Sequence, residues 1–292
     1  MNDFVFYKKR KFGDLISDTF TFFRKYAGNY FSNYLVINGA AIVSAGILFT
    51  VMAFFLPSLS GGFGTSLLLV LLMLVIVFFL FLFVFCFPIA YTELLEKNPN
   101  RIDIASQELL ESIKKMMPRA FLFGFISIFV IWIPYLLVFF GLASILGDAP
   151  LLLQLASYFL STLLFLFMQQ AMLLYIKDRE GYFQALGKVV NQLRERFWDK
   201  FGATFVMNII CSLIVVAGAI IPLVIYFLTL AVSGFELGLG TAILVFVLLL
   251  IVVTVILVSL NLSLFQQILI HLGEKEDQHT DDIDLIGKNV EE

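Results

Sequence analysis

Glu93 and Glu96 stand three residues apart, a spacing that puts both carboxylates on one face of a helix, and His271 falls at the equivalent end of a later apolar segment. Two carboxylates and an imidazole can hold a metal ion with an open position, so this constellation would serve an intramembrane enzyme if the three side chains converge. The rest of the titratable inventory is thin. The chain has 2 histidines, His271 and His279, too few for a haem held by histidine pairs or for a four-histidine iron centre. It has no Gly-rich phosphate loop, no Cys or His metal cluster and no nucleophile beside a base. Cys86 and Cys211 lie inside apolar segments and read as small packing residues. The expectation is a protein with no catalytic residues, no metal and no cofactor.

Amides form a second set. Phe167-Met168-Gln169-Gln170 matches Leu264-Phe265-Gln266-Gln267, and both glutamine pairs end at the same distance from the next charge, Lys177 or Glu274. At 1.5 Å per residue both pairs sit roughly 10 Å inside that charge. Asn38 and Asn208 add further amides within apolar stretches. Such groups either bond between neighbouring helices, with couplings averaging about 0.6 kcal/mol, or line a cavity that passes a small neutral or lipidic solute. The apolar interiors carry no ionisable residue, which argues against proton-coupled transport, voltage sensing and cation pumping.

The elements that must position these groups are membrane spans. Of 292 residues 61% are hydrophobic and 14% charged, and the mean hydropathy is +0.98, far outside the range of water-soluble domains. The low charge and a pI near 5.5 also exclude disorder and a nucleic-acid partner. Charge-free intervals at 26–92, 120–147, 149–176, 201–235 and 237–273 mark the spans, because a charge at mid-bilayer costs about 2.5 to 3.5 kcal/mol. The first interval would make a helix roughly 100 Å long against a hydrocarbon core of about 30 Å, so it holds two spans, broken at Pro57 to Gly64. Six transmembrane helices are predicted, near 32–56, 66–91, 120–146, 150–176, 203–231 and 241–271. All 19 Lys and Arg fall in the N-terminal arm, the loops after spans two and four, and the C-terminal tail, while the opposite loops carry only Asp148 and Glu236. This bias predicts both termini in the cytoplasm. Lys8 to Lys11 are followed by a stretch bearing Asp14, Asp18, Arg24 and Lys25, which is not a cleaved signal, so span one is expected to act as an uncleaved anchor.

Each pair of spans is preceded by an amphipathic pattern. Phe12, Leu15, Ile16, Phe20, Phe23, Tyr26 and Ala27 form the first stripe, and Ser106, Leu109, Ile113, Met116, Met117 and Ala120 the second, with Asp103 as candidate N-cap. Tyr182, Leu186, Val189, Val190, Leu193 and Phe197 form the third. The chain therefore reads as a single membrane domain over 1–273, with three repeats of an interfacial helix plus a helical hairpin at about 12–97, 103–178 and 181–273. An acidic, disordered cytoplasmic tail is expected over 274–292. The interfacial cations Lys114, Lys115, Arg119, Lys188, Arg194 and Arg196 are expected to meet anionic lipid. Pro134 and Pro222 are expected to bend spans three and five.

The opening Lys11-Phe12-Gly13-Asp14-Leu15-Ile16-Ser17-Asp18-Thr19-Phe20, the Phe-rich first span and the threefold layout resemble bacterial six-helix inner-membrane proteins of unassigned function. Those are similar to the membrane domain attached to some glycerophosphodiester phosphodiesterases. The resemblance implies a bacterial plasma-membrane helical domain that assists a partner or handles lipids. It does not carry over the phosphodiesterase activity, whose catalytic barrel needs about 250 residues of its own. The leading expectation is a non-enzymatic scaffold or accessory protein contacting anionic lipid or a membrane protein partner. A transporter or channel with Gln169, Gln170, Gln266 and Gln267 facing a cavity, and an intramembrane enzyme, are the alternatives.

Overall fold

The computed structural model describes residues 4–55, 63–98, 101, 103–232 and 239–275, and among them every regular element is helical. In chain order these are α1 (Phe12–Phe55), α2 (Phe63–Lys97), α3 (Ser106–Ser127), a π turn (Ile128–Trp132), α4 (Ile133–Leu146), α5 (Pro150–Ile176), α6 (Tyr182–Glu195), α7 (Phe197–Val232) and α8 (Leu239–Gly273). Six helical stretches are long and apolar enough to cross a membrane: α1, α2, α3 running through to α4, α5, α7 and α8. The protein is an all-α, multi-pass membrane protein. Most of the turn expected at 57–64, the loop holding Glu236 and the tail beyond Lys275 lie outside the described residues.

The amphipathic segments and the spans join differently from the expected pattern. The first two are not separate elements. α1 runs unbroken from the amphipathic stripe into span one, since a lone Gly28 costs only about 1 kcal/mol and no proline intervenes. α3 likewise continues through the π turn into α4. That π turn ends two residues before Pro134, whose missing N–H would leave the Val130 carbonyl unpaired in a regular α-helix. Only α6 stands apart. Arg196 leaves the helical region (φ −142°, ψ 48°) before α7 begins, and its guanidinium donates to Asp199 Oδ2 (2.9 Å) and to the Arg10 carbonyl (3.1 Å).

Two local expectations are corrected. Asp103 does not cap α3, which starts after an extended Ala105 with no side-chain cap. The approach to α3 is pinned instead by α1: Ile104 N–H donates to Asn29 Oδ1 (3.2 Å), Asn33 Nδ2 donates to the Ile104 carbonyl (2.9 Å), and the Ser106 hydroxyl donates to Asn33. In the first amphipathic stripe Phe12 and Phe20 are exposed, and the buried face is Leu15, Thr19, Phe22, Phe23, Tyr26 and Tyr30. Phe22 stacks on Phe265 of α8 at 3.7 Å between ring centroids, which rotates α1 to present that face.

α8 is the hub, packing against α1, α2, α5 and α7. The ends that carry the charges all gather on one side of the bundle, where Tyr7, Glu96, Lys177, Asp178, His271 and Glu274 meet. This is the charged side, and the opposite end, with the tight turn at Gly147-Asp148, is the far side.

Candidate functional site

The charged third of α8 presents Ser259, Ser263, Gln267 and His271 at successive four-residue steps, one stripe down a single helix face, and each is buried. α7 supplies the facing row. Gln267 Nε2 donates to Thr204 Oγ1 (2.9 Å), Gln266 Nε2 donates to the Ala203 carbonyl (3.0 Å), and the Ser263 hydroxyl donates to Asn208 Oδ1 (3.3 Å). The Cys211 thiol donates to the Ser259 carbonyl at 3.1 Å. From α5, Gln170 Nε2 donates to both the carbonyl and Oε1 of Gln267 (3.0 and 3.1 Å), and Thr162 Oγ1 accepts from Asn208 Nδ2 (3.4 Å). α1 joins through the Tyr30 hydroxyl, which donates to Asn261 Oδ1 at 2.6 Å.

Gln170, Gln266, Gln267 and Asn208 thus converge in bonds that tie α5, α7 and α8 together. Gln169 is buried beside them, facing Phe85, Pro88 and Leu264 across a gap of about 0 Å³ of free volume. A water needs roughly 10–15 Å³. Asn38 stays apart, donating back to the Tyr34 carbonyl of its own helix (3.1 Å).

The chain has no match among protein-family models, curated proteins or solved structures. Its chemistry is therefore read from the geometry alone.

At the charged side the three groups of the candidate metal constellation are each claimed by a different cation or acid. Glu93 pairs with Lys97 (2.9 Å), a helical i,i+4 pair. Glu96 accepts from Lys177 Nζ (2.6 Å) and from the Tyr7 hydroxyl (3.1 Å). His271 Nε2 lies 3.3 Å from Asp178 Oδ2, and Lys275 pairs with the same carboxylate. Among the described residues no group of three or more His, Cys, Asp or Glu could hold a metal ion. Glu96 and His271 do come to one region, through the neighbours Lys177 and Asp178 in the α5–α6 connection, and the intervening lysines turn the cluster into ion pairs.

Burial lowers the Lys177 ammonium below the ordinary lysine range, against the pull of Glu96. Burial raises the Tyr7 phenol, and the Glu96 carboxylate raises it further. Burial also disfavours the Asp178 carboxylate, but His271 and Lys275 outweigh it and hold the group down to about 2.

The interfacial cations divide into two kinds. Arg119 and Arg196, expected to face lipid, turn inward: Arg119 donates to the carbonyls of Tyr175 (3.0 Å) and Glu180 (2.8 Å) and covers the Tyr175 ring at 4.4 Å, stapling α3 to the end of α5. Arg10 is buried and donates to the carbonyls of Val5, Phe6 and Lys8, which folds the N-terminal arm under the bundle. Lys200 bonds to Glu274 at 2.8 Å. Lys114, Lys115, Lys188 and Arg194 are exposed. On α6 and at the start of α7, Phe183 and Trp198 are 73% and 74% exposed, although α6 buries Tyr182, Ala185, Val189 and Leu193 against the bundle. Sequence reasoning missed Thr204, Ser263, Thr162, Lys177 and Asp178 as partners; the four-residue polar step along α8 was the available signal for Ser263.

Proposed function

We propose that the chain is a non-enzymatic membrane scaffold or accessory protein that holds its charged side against anionic lipid, in a bacterial inner membrane with both termini in the cytoplasm. On this reading the three units of amphipathic segment plus hairpin are repeats that present α3 and α6 to the same leaflet. The carrying observation is the division of cations. Arg10, Arg119, Lys177, Arg196 and Lys200 are bonded into the bundle, whereas Lys114, Lys115, Lys188 and Arg194 are exposed, and α6 and the start of α7 also carry the bare rings of Phe183 and Trp198. Exposed cations with Trp and Phe next to a span are the equipment of an interfacial element. The bonded glutamines weigh against solute passage, and the paired carboxylates weigh against an enzyme.

Hydrogen exchange of the full chain in nanodiscs with and without phosphatidylglycerol tests the reading. Exchange over 106–118 and 182–195 slows severalfold when the anionic lipid is present, and reversal of Lys114, Lys115, Lys188 and Arg194 to Glu removes the difference. Equal exchange in both bilayers overturns it. Protection that requires a co-purifying protein overturns it in favour of a protein partner on the same face.

A further inference from the structure

Between the π turn, α4 and α5 runs an open apolar groove of about 450 Å³, lined by Ile131, Pro134, Val138, Leu163 and Phe167. Pro134 is part of its cause: the wide turn before it diverts the chain, and α4 beyond it buries no residue. α6 adds one side chain to the lining. Leu186 reaches into the same groove, so one flank of the amphipathic helix faces the bilayer side of the molecule. Steps of four along that flank lead from Leu186 to Val190, 41% exposed, and then to the exposed Arg194, with Phe183 one turn before Leu186. Lys188 lies on the opposite flank, paired with Glu180.

The flank therefore passes from a hydrocarbon groove, over a half-exposed apolar stretch, to a guanidinium. That order matches a phospholipid read from acyl chain to phosphate, and a guanidinium forks onto phosphate oxygens. We propose that the groove and the α6 flank bind one anionic phospholipid of the charged-side leaflet, an acyl chain against Phe167 and Leu186 and the phosphate at Arg194. The proposal deepens the lipid-contact reading above and rests on it.

Native mass spectrometry of the full chain, released from bilayers of equal phosphatidylglycerol and phosphatidylethanolamine, counts the retained lipid. The wild type keeps one phosphatidylglycerol per chain. Leu163→Trp fills the groove and lowers retention at least fivefold, and Val138→Trp, at the lipid-exposed rim, does the same should the first variant fail to fold. Arg194→Glu keeps lipid in the groove but loses the preference for phosphatidylglycerol. Retention unchanged by either Trp variant, or a spread of bound lipids with no headgroup preference, means annular lipid only and overturns the site. Slowed exchange of α3 and α6 persisting alongside such a result leaves the general surface reading standing, so the two failures are told apart.

Discussion

From Asn261 to Gly273 every residue of α8 is buried, whereas between Ile243 and Val258 only Leu248 is. The same contrast runs through the bundle: α2 is buried from Val84 to Thr92 and largely bare over 70–77, α5 is buried from Gln169 to Ile176 and mostly open before Leu166, and α4 buries nothing. The charged half contains the aromatic stack of Phe22 on Phe265, the edge-to-face contacts of Tyr30 with Phe87 and Tyr91, the amide network and the ion pairs. The far halves of α2 and α8 are almost pure Leu, Val, Ile and Phe. Hydrocarbon chains solvate such side chains as well as another helix does, so apolar composition alone gives spans no reason to associate. Association follows ring geometry, hydrogen bonds and close backbone approach, and the first two are concentrated at one end.

The largest effect that would disturb this contrast lies at the Glu96–Lys177 pair, whose side chains are 10% and 8% exposed. Glu96→Gln leaves the ammonium buried without its counter-ion and frees the Tyr7 hydroxyl from a charged acceptor, a loss of about 3–5 kcal/mol. The melting temperature in detergent falls sharply. The double variant Glu96→Gln with Lys177→Met recovers most of the fall, which a local misfolding around position 96 would not.

Gly218 makes a tight contact outside the charged end. A Cβ there would meet Val255 Cγ1 at 2.7 Å and Cγ2 at 2.9 Å. Gly218→Ala forces α7 and α8 apart at a cost of about 1–3 kcal/mol, and Val255→Ala in the same chain relieves it. Thermal unfolding of the two singles and the double measures the coupling.

Acid separates the halves next. Asp178 is held down to about 2, below its ordinary 3.8, so its contribution is complete above about pH 4 and disappears as the pH falls through 2. The part lost is on the order of 1–2 kcal/mol. Asp178→Asn flattens the pH dependence of the melting temperature in that window and lowers it at neutral pH.

What could be read in advance follows the same physics. The spans were legible because a bilayer forbids charge over a fixed length: α5 begins at Pro150 and ends one residue before Lys177, the bounds read from the sequence. The glutamine pairs were legible as polar groups at matched depth. Their partners Thr204 and Ser263 were not, because which face of a span meets which neighbour depends on helix rotation, and an apolar sequence barely encodes rotation. Arg119 and Arg194 illustrate the limit at the charged side. Both follow an amphipathic stripe, yet one staples α3 to Tyr175 and Glu180 while the other is exposed, a difference set by the α5–α6 connection that only the assembled bundle defines. The junction at Arg196 was hidden for a similar reason, since its break depends on the Arg10 carbonyl far away in sequence.

The amide network contributes on a smaller scale than the ion pairs. Gln267→Leu removes the bond to Thr204 and leaves Gln170 only the backbone carbonyl as acceptor. Interhelical hydrogen bonds in membranes average about 0.6 kcal/mol with a maximum near 1.7, so the loss is about 1 kcal/mol, far below that of Glu96→Gln. A larger value, measured by equilibrium unfolding, would mean that the network acts cooperatively along the α8 stripe.

The smallest effect belongs to the far half. Leu137 on α4 is 69% exposed, and Leu269 on α8 is fully enclosed. Leu137→Ala exchanges contact with lipid chains for slightly less contact with lipid chains and opens no cavity, so stability changes by less than about 0.5 kcal/mol. Leu269→Ala deletes the same atoms inside a packed region that cannot close around the gap, at about 2–5 kcal/mol. Parallel unfolding of the two variants in one detergent gives the ratio. A Leu137→Ala loss approaching that of Leu269→Ala would show that the far half is packed against something, a second chain or a firmly held lipid, and the division between a bonded end and a lipid-solvated end would fail.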